Sequence, residues 1–121
     1  MKTYLVNAFS LNMMTILHAL TVTIKKLTLE EAKNLLAPEG HLAPETICAI
    51  GHVDTAAVVG DLLGLPEEDV ARMVEAAKAR PTVKMVSGDK AVVAQYIGPR
   101  LPEGTTTLPE GARIEFFLVQ I

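Results

Sequence analysis

Cysteine is almost absent. Cys48 stands alone among 121 residues, so no internal disulfide can form. The apolar string "TICAIG" around it marks a small core residue, and such sparing use suits a reducing cytoplasm. Basic runs are missing as well: the net charge is −3 and the longest cationic cluster is Lys25-Lys26. Proteins that hold long nucleic acids by counterion release carry a dense positive face, so that class of partner is excluded. A short anionic ligand is not, because a few converging arginines and backbone amides suffice for it. The familiar catalytic signatures are also lacking. There is no glycine-rich phosphate loop ending in Lys-Ser/Thr, no G-x-G-x-x-G, no H-E-x-x-H, no C-x-x-C and no G-x-S-x-G. His41, Cys48 and His52 match no common ligand spacing, so neither a metal nor a cofactor is expected.

Residues 3–24 contain no Asp, Glu, Lys or Arg, roughly the length of a membrane span. Asn7, Ser10, Asn12, Thr15, His18, Thr21 and Thr23 interrupt that stretch every few residues. Such groups are costly in a bilayer core, and no compact apolar block precedes a small-residue cleavage site. Two strands are expected there, not a membrane segment.

What is present is a core. Half of the residues are hydrophobic, enough for one domain spanning 1–121. Residues 2–9 and 19–27 read as strands. Thr28 and Glu31 have capping-box spacing before a helix that runs to Pro38. A short buried strand at 45–51 follows, and then a helix for which Asp54 can serve as cap, stopped at Gly64. Pro66 and a run of acids open a third helix, with Val70, Met73, Val74 and Ala77 as its buried stripe. The strings "TVKMV", 82–86, and "KAVVAQYI", 90–97, read as a hairpin joined by "SGD", and "ARIEFFLVQI" as the last strand. The expected class is one α/β (α+β) domain, a mixed sheet flanked by helices.

Between the last two strands lies "RLPEGTTTLPEG", which repeats Leu-Pro-Glu-Gly seven residues apart. Proline at the second place and glycine at the fourth fit a type I turn, and Pro38-Glu39-Gly40 is a further instance, so the duplication is a turn preference and not a repeat architecture. Interest narrows to Arg100 and Glu103. Other polar residues also sit at strand ends, where open sheets bind ligands: Asn7, Ser10 and Asn12 after the first strand, and His52 between a strand and a helix. Taken singly, each has an ordinary structural use as a turn former, a hydrogen-bonded histidine or a surface ion pair.

Taken together and in order, "YLVNAFSLNMM", "AIGHVDTAAVVGDLLG" and "GPRLPEG" resemble the anti-CRISPR type III ring nuclease family. These are small dimeric proteins of archaeal viruses, phages and some bacterial CRISPR loci that degrade cyclic tetra-adenylate. The resemblance touches most of the chain. It matches the family's catalytic histidine to His52 and its catalytic arginine and glutamate to Arg100 and Glu103. It matches ligand-contacting residues to Asn7, Ser10 and Asn12, and also to Arg80 and Gln95. What it implies is a homodimer that cuts cyclic tetra-adenylate without metal to linear di-adenylates, shutting off type III CRISPR signalling. Four features depart from the pattern: the segment after "RLPEG" is shortened, the helix at 67–79 is an insertion, one extra residue separates Gln95 from Arg100, and Val53 stands where an acid is common. A non-cleaving sponge or sensor of the same shape is the alternative, with the short segment as its warrant. A small structural or interaction protein is the third reading.

Overall fold

The computed structural model describes residues 1–121. Strands β1 (Thr3–Val6), β2 (Thr23–Leu27), β3 (Thr46–Cys48), β4 (Lys90–Ile97) and β5 (Arg113–Gln120) form one sheet in the order β2-β5-β4-β1-β3. Helices α1 (Leu29–Leu36), α2 (Val53–Leu62) and α3 (Glu67–Ala79) complete a single α+β domain. β1 pairs in parallel with both β3 and β4, so that Leu5 lies between Cys48 and Val92. β5 runs antiparallel to β2 and β4. The mixed sheet has a consequence for function: β3, β1 and β4 all end at one edge, where open sheets receive ligands.

Local chemistry explains the helices. In α1 the Thr28 Oγ1 accepts from the Glu31 N–H at 3.1 Å while Glu31 Oε1 accepts from the Thr28 N–H at 2.9 Å. That reciprocal pair is the capping box, and the Thr28 N–H holds the Glu31 carboxyl below its ordinary value. α2 is buried from Thr55 through Gly60, as expected of a helix apolar on all sides. It packs against α3. A Cβ at Gly60 would stand 2.8 Å from Val70 Cγ2, so the crossing of α2 and α3 depends on that glycine. In α3, Met73 and Ala77 are buried and Val70 and Val74 pack beside them.

The period-two alternation of the strands divides the interior. Leu5, Val92, Ala94 and Phe116 join the helices in a cluster of seventeen buried residues. Tyr4, Val6, Ala91, Val93 and Val119 face the other way and, with Val83 and Met85, form a cluster of only seven. No α-helix contributes to that second cluster.

The expected hairpin of 82–86 with 90–97 does not form. β1 and β5 occupy both hydrogen-bonding edges of β4, and a strand has no third edge. Residues 82–86 instead lie across the second face, where Met85 pairs in parallel with Met14 through Met85 N–H to Met13 O at 2.7 Å and Thr15 N–H to Met85 O at 2.8 Å. Residues 19–22 likewise precede β2 without joining it. Asp89 secures this covering strap: its carboxylate accepts from the Lys2 N–H at 2.8 Å and the Val86 N–H at 3.0 Å. Burial pushes its pKa up, but these two donors and the nearby positive charges of the chain terminus and Lys2 outweigh it, and the net effect is lowering. No helix is long and apolar enough to cross a membrane.

Candidate active site

At the edge where the parallel strands end, an open cleft of about 830 Å³ is lined by His52, Asp54, Thr55, Tyr96, Arg100 and Glu103, among others. Two elements supply these groups. β3 delivers the chain to α2, whose N-cap is His52. The His52 carbonyl accepts from the Ala56 N–H at 2.9 Å, as a cap does, while its imidazole makes no capping bond. The ring is therefore exposed and free beside the positive end of α2. β4 delivers the other half: Tyr96 near its end, then Arg100 and Glu103 on the loop to β5.

Arg100 and Glu103 form no ion pair with each other or with any other side chain, although five other such pairs occur. The surface-pair explanation for them is excluded by this geometry. Both are exposed and, like His52, make no side-chain hydrogen bond. An unpaired guanidinium, an unpaired carboxylate and a free imidazole on one polar cleft can together bind an anionic ester and exchange a proton with it.

The loop itself differs in register from the expected type I turns. Pro102 O accepts from the Thr105 N–H at 3.1 Å, and Pro109 O from the Ala112 N–H at 3.1 Å. Each turn thus begins at the proline and places its glycine third, with φ +84° at Gly104 and +82° at Gly111. Positive φ at that place is what a type II turn requires. The copy at Ala37-Pro38-Glu39-Gly40 does close on its fourth residue, through the Gly40 N–H to Ala37 O at 3.1 Å. At the loop's base a Cβ on Gly98 would stand 2.8 Å from the Ala112 Cβ, so glycine permits the two sides to meet.

Asp54 is not the helix cap expected for it. His52 takes that position, and the Asp54 carboxylate accepts instead from the Gly104 N–H at 3.2 Å, across fifty residues of sequence. Asn7 has a comparable task. Its Oδ1 accepts from the Gly51 N–H at 3.1 Å, fixing the backbone just before His52.

The remaining residues matched by resemblance do not join this cleft. Asn7 and Gln95 line a second, smaller cleft of about 330 Å³ with Phe9, Ile24, Val93 and Phe117, on the thinly covered face. Ser10 caps the single 3-10 turn Leu11–Met13, and Asn12 lies within that turn. Arg80 ends α3 in a left-handed conformation, φ 48°. Ser10, Asn12 and Arg80 are exposed and line neither cleft. Tyr96 was missed in the sequence, although alternation along "AQYIG" puts it on the face opposite Gln95. His41, Cys48 and His52 do not gather as metal ligands; His41 stands 3.8 Å from Asp69. Burial pushes the Cys48 thiol up.

Fold and cleft together define a small α+β protein whose parallel strand ends feed one polar, solvent-open site. The profile of the STIV B116-like family matches residues 3–118, and the chain belongs to that family. Among solved structures it is similar to B116 of Sulfolobus turreted icosahedral virus, with 32% identity, 99% of each chain covered and a TM-score of 0.70. A comparison with curated proteins gives no match.

Proposed function

We propose that this protein is a homodimeric, metal-independent ring nuclease that opens cyclic tetra-adenylate into linear di-adenylates and so ends type III CRISPR signalling. The observation that carries the reading is the presence of His52, Arg100 and Glu103 on one cleft, delivered by separate elements and free of partners. The sequence resemblance assigns catalytic roles to the same three residues.

The chemistry follows from these groups. The ligand's own ribose 2′-oxygen bonds to the adjacent phosphorus while the bond from phosphorus to the 5′-oxygen breaks. Holding the two in line converts an improbable encounter into an intramolecular step. His52 gives its proton to the departing 5′-oxygen as general acid, and the 2′-hydroxyl proton passes to solvent. Arg100 stabilises charge developing on the phosphoryl oxygens, and Glu103 orients Arg100 or His52. Each cut leaves a 2′,3′-cyclic phosphate and a 5′-hydroxyl. Two-fold symmetry would present two copies of each group to opposite phosphodiesters. Exposed Leu11, Ile16, Leu17 and Ile24 crowd into residues 11–24 and supply apolar surface for a second subunit.

The test is to incubate purified protein with cyclic tetra-adenylate in EDTA and resolve the products. Di-adenylates ending in a 2′,3′-cyclic phosphate are expected. An intact ring at high enzyme concentration rejects the reading, and a ring that is bound but uncut favours the sponge or sensor.

A further inference from the structure

We infer that Asp54 and Tyr96 are positioning residues: Tyr96 fixes the near end of the Arg100–Glu103 segment on β4, and Asp54 holds its far end against the helix start that bears His52. The role in cleavage rests on the ring-nuclease reading; the clamp itself is a matter of hydrogen bonding.

The two contacts bracket the motif. Before it, the Tyr96 hydroxyl donates to the Pro99 carbonyl. After it, the Gly104 N–H donates to Asp54 Oδ1 at 3.2 Å. Both residues line the same cleft as the groups they hold. Between them, the chain is stiffened by the turn in which the Thr105 N–H and Oγ1 both donate to Pro102 O, at 3.1 and 2.6 Å. Residues 98–112 otherwise hydrogen-bond only within the β4–β5 hairpin, so the Asp54–Gly104 contact is their one hydrogen bond to the rest of the chain. Asp54 lies two residues after His52, and this contact therefore fixes the loop relative to the imidazole. Without it, no hydrogen bond ties Arg100 and Glu103 to the element that bears His52.

An acid in the first turn of a helix also favours the helix dipole, and that ordinary role predicts a different pattern of variants. Asp54→Asn loses the charge but keeps an acceptor for Gly104, whereas Asp54→Ala loses both. Tyr96→Phe keeps the ring and removes only the hydroxyl.

The four proteins are compared by amide exchange at Gly104 and by single-turnover cleavage of cyclic tetra-adenylate, with affinity measured separately. Exchange at Gly104 should accelerate at least about tenfold in Asp54→Ala and remain near wild type in Asp54→Asn. Cleavage of bound ring should fall on the order of tenfold to a hundredfold in Asp54→Ala and Tyr96→Phe, the scale of a roughly 1 Å misplacement. Affinity should change less than about threefold, and Asp54→Asn should recover the rate to within about threefold of wild type. The inference is overturned if Asp54→Asn is as slow as Asp54→Ala, because charge and not the acceptor then matters. It is overturned equally if Gly104 exchange is unchanged in Asp54→Ala, or if exchange accelerates while cleavage does not slow. A wild-type protein that leaves the ring intact overturns the nuclease reading and the positioning role with it. The Asp54–Gly104 tie is judged by exchange alone.

Discussion

The two faces of the sheet are built from the same strands and could hardly differ more. One carries three helices and seventeen buried residues; the other has seven, under two irregular stretches joined by the single Met14–Met85 bridge. Each fully buried Val, Leu or Ile contributes about 1.5–3 kcal/mol, so the helix face carries most of the apolar stabilisation. The free imidazole, guanidinium and carboxylate sit at the rim of that rigid face, while Asn7 and Gln95 belong to the cleft of the thin one. Gln95 and Tyr96 are neighbours in the chain, yet alternation sends them to different clefts. His52 is mounted on the well-packed side, and Arg100 and Glu103 stand on an exposed loop that the Asp54–Gly104 contact ties to it. The side with few buried contacts should open first in local fluctuations.

The largest effect belongs to the rigid rim. His52→Ala should slow cleavage of bound cyclic tetra-adenylate on the order of 10²–10⁴-fold, the usual contribution of a general acid, with affinity nearly unchanged. Single-turnover assays and binding isotherms separate the two quantities. If affinity falls while bound ring is cut at the wild-type rate, the acid assignment is wrong.

Next is the strap over the thin face. Asp89→Ala strands the Lys2 and Val86 N–H groups and should cost about 1–3 kcal/mol in urea unfolding at neutral pH. The pH dependence has a definite sign. The Asp89 pKa is lowered from its ordinary 3.8, so its stabilisation is complete well above that value and is lost as pH falls through the lowered folded value. The wild type should therefore lose its advantage over Asp89→Ala in acid below about pH 4. Amide exchange at Thr15 and Met85 should accelerate more than at Val92 if the two faces open independently. Equal acceleration would show that they unfold as one.

How far the sequence is legible depends on the distance over which each signal acts. The Thr28–Glu31 capping box and the stripe of α3 are local, and they stand where their spacing puts them. The strand at 82–86 fails because its partner is Met14, some seventy residues earlier, and because both edges of β4 were already occupied. The doubled Leu-Pro-Glu-Gly announces turns, but their register shifts by one residue once glycine takes the positive φ. Asp54 does not cap α2, because the helix starts one residue before it with His52 as cap, and its carboxylate meets the Gly104 N–H instead. The convergence of His52 with Arg100 and Glu103 is foreshadowed by their common place after strands, since parallel strands end at one edge. Alternation, which depends on the face and not on the end of the strand, puts Gln95 at the other cleft of its own chain.

That distinction supplies the smallest and most discriminating expectation. Gln95 is exposed at the second cleft beside Phe9, Ile24 and Phe117, on the far side of the sheet from the imidazole of its own chain. If the clefts act separately, Gln95→Ala removes at most a hydrogen bond to ligand. It should then weaken ring affinity by less than about tenfold and leave the single-turnover rate of bound ring within about twofold of wild type. A rate that falls as steeply as in His52→Ala would mean that both clefts grip one reacting phosphodiester. Within one subunit the sheet stands between them, so that result would require the partner's second cleft to meet this chain's first. The contrast between the faces would then describe how two subunits share the ring, not how one subunit divides its work.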